Sequence, residues 1–289
     1  MRIISSGIAF MILTIFLFSI MNALAKDFTT HYSIIQIVWA RYLSQTILTT
    51  LIFLPNIRNT VKTQNIKLHL FRSLLLFGAT ISMFSGFKYL SLISTITIFQ
   101  IGPLIIVIFS VIFLKENVGY RRWLSVIIGF SGTLFILKPG TTMFAIAGFF
   151  PILAAICYAG YAVSTRSLGT DEDPKTNFFY TSLVGTMISS IILIPFFEPI
   201  LLKDLALFSI LGVIGGLGHF SFVIALRKSE ASLLAPFAYF DLIFATILGI
   251  IFFSEYPDTY VIIGAFIIVS AGIYTWYREK LQKAEGRFN

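Results

Sequence analysis

Two residues of opposite charge lie deep inside apolar stretches of this chain, Arg41 and Asp241. A charge at the centre of a membrane helix costs at least about 2.5 kcal/mol, so such residues are rare unless they do something. Arg41 falls about two turns into its apolar run, with Ser44 and Gln45 on the same helical face at i+3 and i+4. Asp241 falls near the middle of another run, with Phe237 and Phe244 on its face. At 1.5 Å rise per residue the two depths differ by roughly 5 Å, within reach of an arginine side chain. One reading is a structural ion pair that cancels both charges. The other is a binding site in which Arg41 meets a substrate carboxylate or phosphate and Asp241 meets an amine or a coupling proton. A third has Arg41 snorkelling outward.

Other polar residues in the apolar runs could complete such a site. Gln100 lies one turn before Pro103, where its amide could read a polar substrate or cap backbone freed by the proline. Tyr158 and Tyr161, with Thr165, form one helical stripe, as cavity wall or interhelix packing. Tyr239 lies nearly opposite Asp241 around their shared helix, so only one of them faces a central cavity squarely. Pro103, after Gly102, and Pro236 read as kinks or hinges. His219 completes a small-residue face with Gly212, Gly215 and Gly216, which reads as close helix packing, with the histidine a hydrogen-bonded interhelical residue or, alternatively, a proton relay. Enzyme chemistry finds little here. No phosphate-binding Gly-x-x-x-x-Gly-Lys-Ser/Thr loop occurs, Cys157 is the only cysteine, and His31, His69 and His219 are scattered. Paired carboxylates are absent from the apolar runs, so no catalytic residue, metal or cofactor is expected.

The elements that must position these residues follow from composition. Of 289 residues, 57% are hydrophobic and 12% charged, with mean hydropathy +0.91, which excludes a soluble or disordered chain. Runs of roughly 20 apolar residues span a bilayer. They predict an all-α integral membrane protein with ten transmembrane helices, at 6–25, 34–54, 68–87, 90–113, 122–137, 145–165, 177–197, 206–226, 231–253 and 258–277. The net charge of +8 reflects placement rather than nucleic-acid binding, because no basic stripe lies outside the runs. With the N-terminus cytoplasmic, sixteen of the 21 Lys and Arg residues, Arg72 among them, fall in inner segments. Only Lys26, Lys88, Lys138 and Lys203 fall outside. Both termini are therefore expected inside, in a cell inner membrane, with lipid as constant partner. A competing reading makes the first run a signal peptide cleaved after Ala23-Leu24-Ala25.

A repeat underlies the ten runs. Phe113-Leu-Lys-Glu116 and the following small-residue helix match Phe252-Phe-Ser-Glu255 and its following helix at an offset of 139. The expected halves are 1–140 and 141–289, with five spans each. Five being odd, the second half enters the membrane inverted. That symmetry suits alternating access, although a gated pore can share it.

The chain resembles the EamA family of the drug/metabolite transporter superfamily. The likeness rests on Asn22-Ala-Leu-Ala-Lys26, Trp39-Ala-Arg41-Tyr42, Arg72-Ser-Leu-Leu-Leu, Leu114-Lys-Glu116 before Arg121-Arg-Trp123, Lys138-Pro-Gly140, and Ala231-Ser-Leu-Leu-Ala-Pro236 leading to Glu255-Tyr-Pro-Asp258. It implies a proton- or gradient-dependent carrier of amino acids or other metabolites, and some stretches look like S-adenosylmethionine carriers. The expected function is secondary transport of a small polar metabolite, an amino acid or related zwitterion or anion. A larger cargo such as S-adenosylmethionine or riboflavin is the alternative, and a lipid flippase or non-transporting membrane protein the reading from another class. The expected site comprises Arg41, Gln100, Tyr158, Tyr161, Tyr239 and Asp241, with Pro103 and Pro236 as hinges.

Overall fold

The computed structural model of the protein describes residues 2–116, 119–137, 142–168 and 172–284. Helices carry the regular structure among them: α1 (Arg2–Phe28), α2 (Ile34–Phe53), α3 (Ile57–Thr60), α4 (Ile66–Tyr89), α5 (Leu92–Phe99), α6 (Gly102–Leu114), α7 (Tyr120–Leu137), α8 (Thr142–Ser167), α9 (Pro174–Leu193), α10 (Leu202–Lys228), α11 (Ala231–Leu234), α12 (Phe240–Phe253) and α13 (Thr259–Ala284). Seven segments among the described residues are long and apolar enough to cross a bilayer by themselves, and Phe237–Phe253 and Thr259–Ala271 are shorter apolar helices. The protein is a multi-pass membrane protein. The boundary expected between halves, with Lys138-Pro-Gly140, lies outside the described residues.

Large apolar side chains cover the outside of the bundle. Leu51, Ile112, Phe113, Ile191, Ile251, Phe252 and Phe266 are each more than half exposed. Water would make that surface untenable, and hydrocarbon makes it neutral. Inside, α1 lies along α10, α4 along α8, α7 along α13, and α2 against both α9 and α10. Small residues set these distances. A Cβ on Gly212 of α10 would stand 2.3 Å from Ser44 Cβ and 2.7 Å from the Arg41 carbonyl of α2. A Cβ on Gly215 would stand 2.8 Å from Met21 Sδ of α1. The glycine face of α10 is thus what lets α1 and α2 draw near one another.

The expected fourth and ninth spans are helical but not continuous. The fourth stops at Phe99, turns through Gln100 and Ile101, and restarts as α6 at Gly102. Pro103 falls in the first turn of α6, where a missing N–H leaves no intrahelical bond unmade. It starts a helix instead of kinking one. In the ninth, a 3-10 turn over Ala235–Tyr239, which contains Pro236, separates α11 from α12. The two interrupted spans also end alike. Lys115 after α6 and Ser254 after α12, 139 residues apart, take the left-handed backbone at φ 54° and 52°. In each the next residue's N–H reaches back, Glu116 to the Ser110 carbonyl at 3.2 Å and Glu255 to the Gly249 carbonyl at 3.0 Å. Each bond spans one residue more than a Schellman closure, and both are built without glycine.

Candidate functional site

A central cavity of about 680 Å3, its opening included, forms where α1, α2, α4, α8, α10 and the two helix interruptions meet. Its wall is mostly apolar and rich in methionine and aromatics, including Met11, Phe18, Met21, Met83, Phe99 and Tyr158. The polar groups facing it are few: Thr14, Asn22, Arg41, Thr80, Gln100, His219 and Asp241.

Arg41 is almost fully buried, and its surroundings are neutral. Nη1 donates to Thr80 Oγ1 at 2.7 Å, Nη2 donates to His219 Nε2, and Nε points at Met21 Sδ at 3.2 Å. The guanidinium also lies over the Tyr42 ring, 4.7 Å from its centre. A guanidinium has only donors, so His219 Nε2 must be an acceptor, which puts the ring proton on Nδ1. Thr80 passes its own hydrogen to the Leu76 carbonyl at 2.9 Å, leaving its oxygen to accept from Arg41. No carboxylate joins this set among the described residues. Three of the five guanidinium N–H groups are engaged, and all by uncharged partners.

Asp241 stands apart from Arg41. Its Oδ1 lies 2.5 Å from Ser19 Oγ on α1, and no ion pair joins it to Arg41. Ser19 Oγ also lies 2.9 Å from the Ile15 carbonyl. One hydroxyl hydrogen serves one acceptor well, so both bonds are made at once only when Asp241 carries a proton and donates it to Ser19. The cavity thus holds a cation without its anion and a carboxyl without a cation.

Gln100 links the two interruptions. Its Nε2 donates to the Ala238 carbonyl at 3.2 Å, and its buried Oε1 has no partner. Tyr158 lines the cavity beside Phe99, ring centres 5.6 Å apart. Two other expected residues stand elsewhere. Tyr161 is fully buried beside Arg72, which donates to its hydroxyl at 3.2 Å and lies over its ring at 4.9 Å. Tyr239 packs with Ile93 and Val261, on the far side of its turn from the cavity. Arg72, expected among the inner topology charges, is wholly buried instead. It donates to Thr165 Oγ1, Thr181 Oγ1 and the Asn177 carbonyl at 2.8–3.0 Å, tying α4 to α8 and α9.

Ser19, Thr80 and Thr14 were not singled out from sequence; His219, expected as a hydrogen-bonded interhelical residue, accepts on α10 from Arg41 of α2. A weak signal existed for α1, where Thr14, Ser19 and Asn22 interrupt an otherwise apolar run at helical spacing. α1 runs unbroken through the Ala23-Leu-Ala25 segment and supplies a large part of the cavity wall.

Comparison with known proteins agrees with this picture. The sequence is 29% identical over 281 residues to an S-adenosylmethionine uptake transporter of Rickettsia bellii, spanning 96% of this chain and 95% of that one. It is 26% identical to the pseudopaline exporter CntI of Pseudomonas aeruginosa, across 94% and 96% of the two chains. It is 26% identical to a riboflavin transporter of Vibrio cholerae, across 93% and 92%. A solved crystal structure shares the fold at a TM-score of 0.74 and 17% identity, covering 96% of this chain and 99% of its own. The profile of the EamA-like transporter family matches twice, over residues 5–138 and 145–277, and the chain belongs to that family.

Proposed function

We propose that the protein is a secondary transporter that carries a metabolite with an amino-acid head and a bulky, flat body across the cell inner membrane, of the S-adenosylmethionine class. The observation that carries this reading is the buried Arg41, which has no anion among the described residues and faces a cavity whose one carboxyl among them, Asp241, leaves it unpaired. A substrate carboxylate completes Arg41 through its two remaining N–H groups. A cationic centre, ammonium or sulfonium, suits Asp241 and the faces of Phe18, Phe99 and Tyr158. The free Gln100 Oε1 accepts from an exocyclic amine of a base. The apolar wall favours a body with more apolar surface than a plain amino acid. The name of the Rickettsia bellii relative points the same way, while the exporter and the riboflavin transporter name other cargoes.

Alternating access follows from two inverted five-helix repeats, residues 1–140 and 141–289, with both termini cytoplasmic. The double family match and the paired interruptions with their left-handed ends support that arrangement. Asp241 is the coupling site. Proton loss there leaves Ser19 to choose between Asp241 and the Ile15 carbonyl, which ties protonation to the packing of α1 on α12. Counterflow in proteoliposomes loaded with amino acids, S-adenosylmethionine and riboflavin tests the reading, with each compound labelled in turn. Uptake of labelled S-adenosylmethionine that is lost in Arg41→Gln is the expected result. Flux unchanged in Arg41→Gln removes the arginine from the site, and uptake of another compound replaces the substrate class.

A further inference from the structure

Glu116 and Glu255 hold corresponding positions after the left-handed helix ends, and substrate binding in the cavity uses neither. Glu255 gathers several elements at one end of the bundle. Its Oε1 lies 3.0 Å from Lys26 Nζ at the end of α1, and its Oε2 accepts from the Leu92 N–H at 2.7 Å, at the start of α5. Lys26 also donates to the Leu90 carbonyl after α4, at 3.0 Å, and lies over the Phe253 ring of α12 at 5.5 Å. The two side chains are only 14% and 19% exposed, which spares the pair most of the screening that weakens surface ion pairs. The site lies one turn beyond Asn22 and Phe84, the last residues of α1 and α4 to line the cavity.

The other end of the bundle holds the same parts in a different state. Arg166, one residue past the position 139 after Lys26, donates to the Leu226 carbonyl near the end of α10 at 2.7 Å, much as Lys26 donates to Leu90. That end is the far one, because the α10 terminus at Lys228 and Ser229 packs on Gly7 near the start of α1. The interrupted fourth span enters beside Lys26 at Leu92, passes the cavity at Gln100 and runs on to Leu114 and Glu116. There Glu116 Oε2 is buried with no hydrogen-bond partner among the described residues. The cation and its carbonyl are engaged and the carboxylate is not.

We propose that Lys26–Glu255 and Arg166–Glu116 are two latches at opposite ends of the bundle that form in alternation, each sealing the cavity on its own face. In this structure the first is closed and the second released. The inference rests on the transporter reading above. Each latch stabilises one conformer, so removing one shifts the population toward the other.

Cysteine labelling in membrane vesicles tests this without any substrate. The full chain carries Cys157→Ser and a reporter, Asn22→Cys, in the cavity wall one turn from Lys26, and a membrane-impermeant maleimide is applied from either side. Glu255→Gln is expected to speed labelling from the Lys26 face about tenfold, a population shift of about 1.4 kcal/mol. Glu116→Gln is expected to slow it, and the double variant to return toward the parent rate. The charge-swapped pair Lys26→Glu with Glu255→Lys remakes the ion pair but not the bonds to the Leu92 N–H and the Leu90 carbonyl, so it should bring labelling part of the way back to the parent rate, which covers a single variant that fails to fold. Equal labelling in all variants, or changes of the same sign for both glutamates, overturns the proposal. Labelling that moves as expected beside a counterflow panel with no uptake keeps the latches and discards the substrate class.

Discussion

Replacing Arg41 by glutamine removes a cation that no carboxylate among the described residues balances. The structure predicts which property fails. In the empty protein the guanidinium is held by Thr80, His219, Met21 and the Tyr42 face, all neutral, so the variant loses little folding energy from charge pairing. With substrate bound, it loses a hydrogen bond between two charged groups, worth about 1.5–3 kcal/mol. Affinity for S-adenosylmethionine should therefore fall roughly 10- to 150-fold. Equilibrium binding to purified protein, for the parent and Arg41→Gln, with S-adenosylmethionine and its decarboxylated analogue, separates this from a general disturbance. The analogue should bind the parent and the variant about equally, so that the four affinities give a coupling of about 1.5–3 kcal/mol. A coupling below about 0.5 kcal/mol, the spread expected of independent sites, would refute the pairing of Arg41 with a substrate carboxylate.

Asp241→Asn should retain counterflow while losing accumulation driven by an imposed pH gradient; accumulation that survives in the variant takes the coupling proton away from Asp241. Arg72→Met removes the charged donor from the Asn177 carbonyl and the Thr165 and Thr181 hydroxyls, each of which keeps another hydrogen-bond partner, so thermal unfolding should reveal a loss of about 1.5–3 kcal/mol, against about 1 kcal/mol for Tyr161→Phe. Gly212→Ala drives a methyl to within 2.7 Å of the Arg41 carbonyl, which cannot rotate away, and a melting experiment should show a cost of about 1–3 kcal/mol together with weakened substrate binding.

The helices were legible because run length and apolarity are local properties. Arg41 and Asp241 were legible for a related reason, since a charge inside an apolar run is conspicuous wherever the helix goes. Their relation was not legible. Helix rise places them at similar depth, but whether they meet depends on rotation about each axis, and the cavity lies between them. Ser19 and Thr80 escape notice because a serine or threonine in a membrane helix ordinarily satisfies itself on the carbonyl four residues back, as both do here. Tyr158 and Tyr161 share a stripe, yet the 60° between them around α8 sends one to the cavity and the other to Arg72. Arg72 itself was misread because it lies near the end of its run, where a charge usually reaches water. Its partners on α8 and α9 come from about 100 residues away.

The left-handed ends of α6 and α12 bear on descent. Lys115 and Ser254 occupy a backbone region that costs an ordinary residue about 1–2 kcal/mol and costs glycine almost nothing. Different side chains fill the two corresponding places, Leu-Lys in one and Phe-Ser in the other, and neither has settled on the cheaper glycine. What the two stretches share is therefore a bend that aims a glutamate, while the residues that make the bend differ. A search for kinship between such halves does better to follow where the chain turns than which letters it spells.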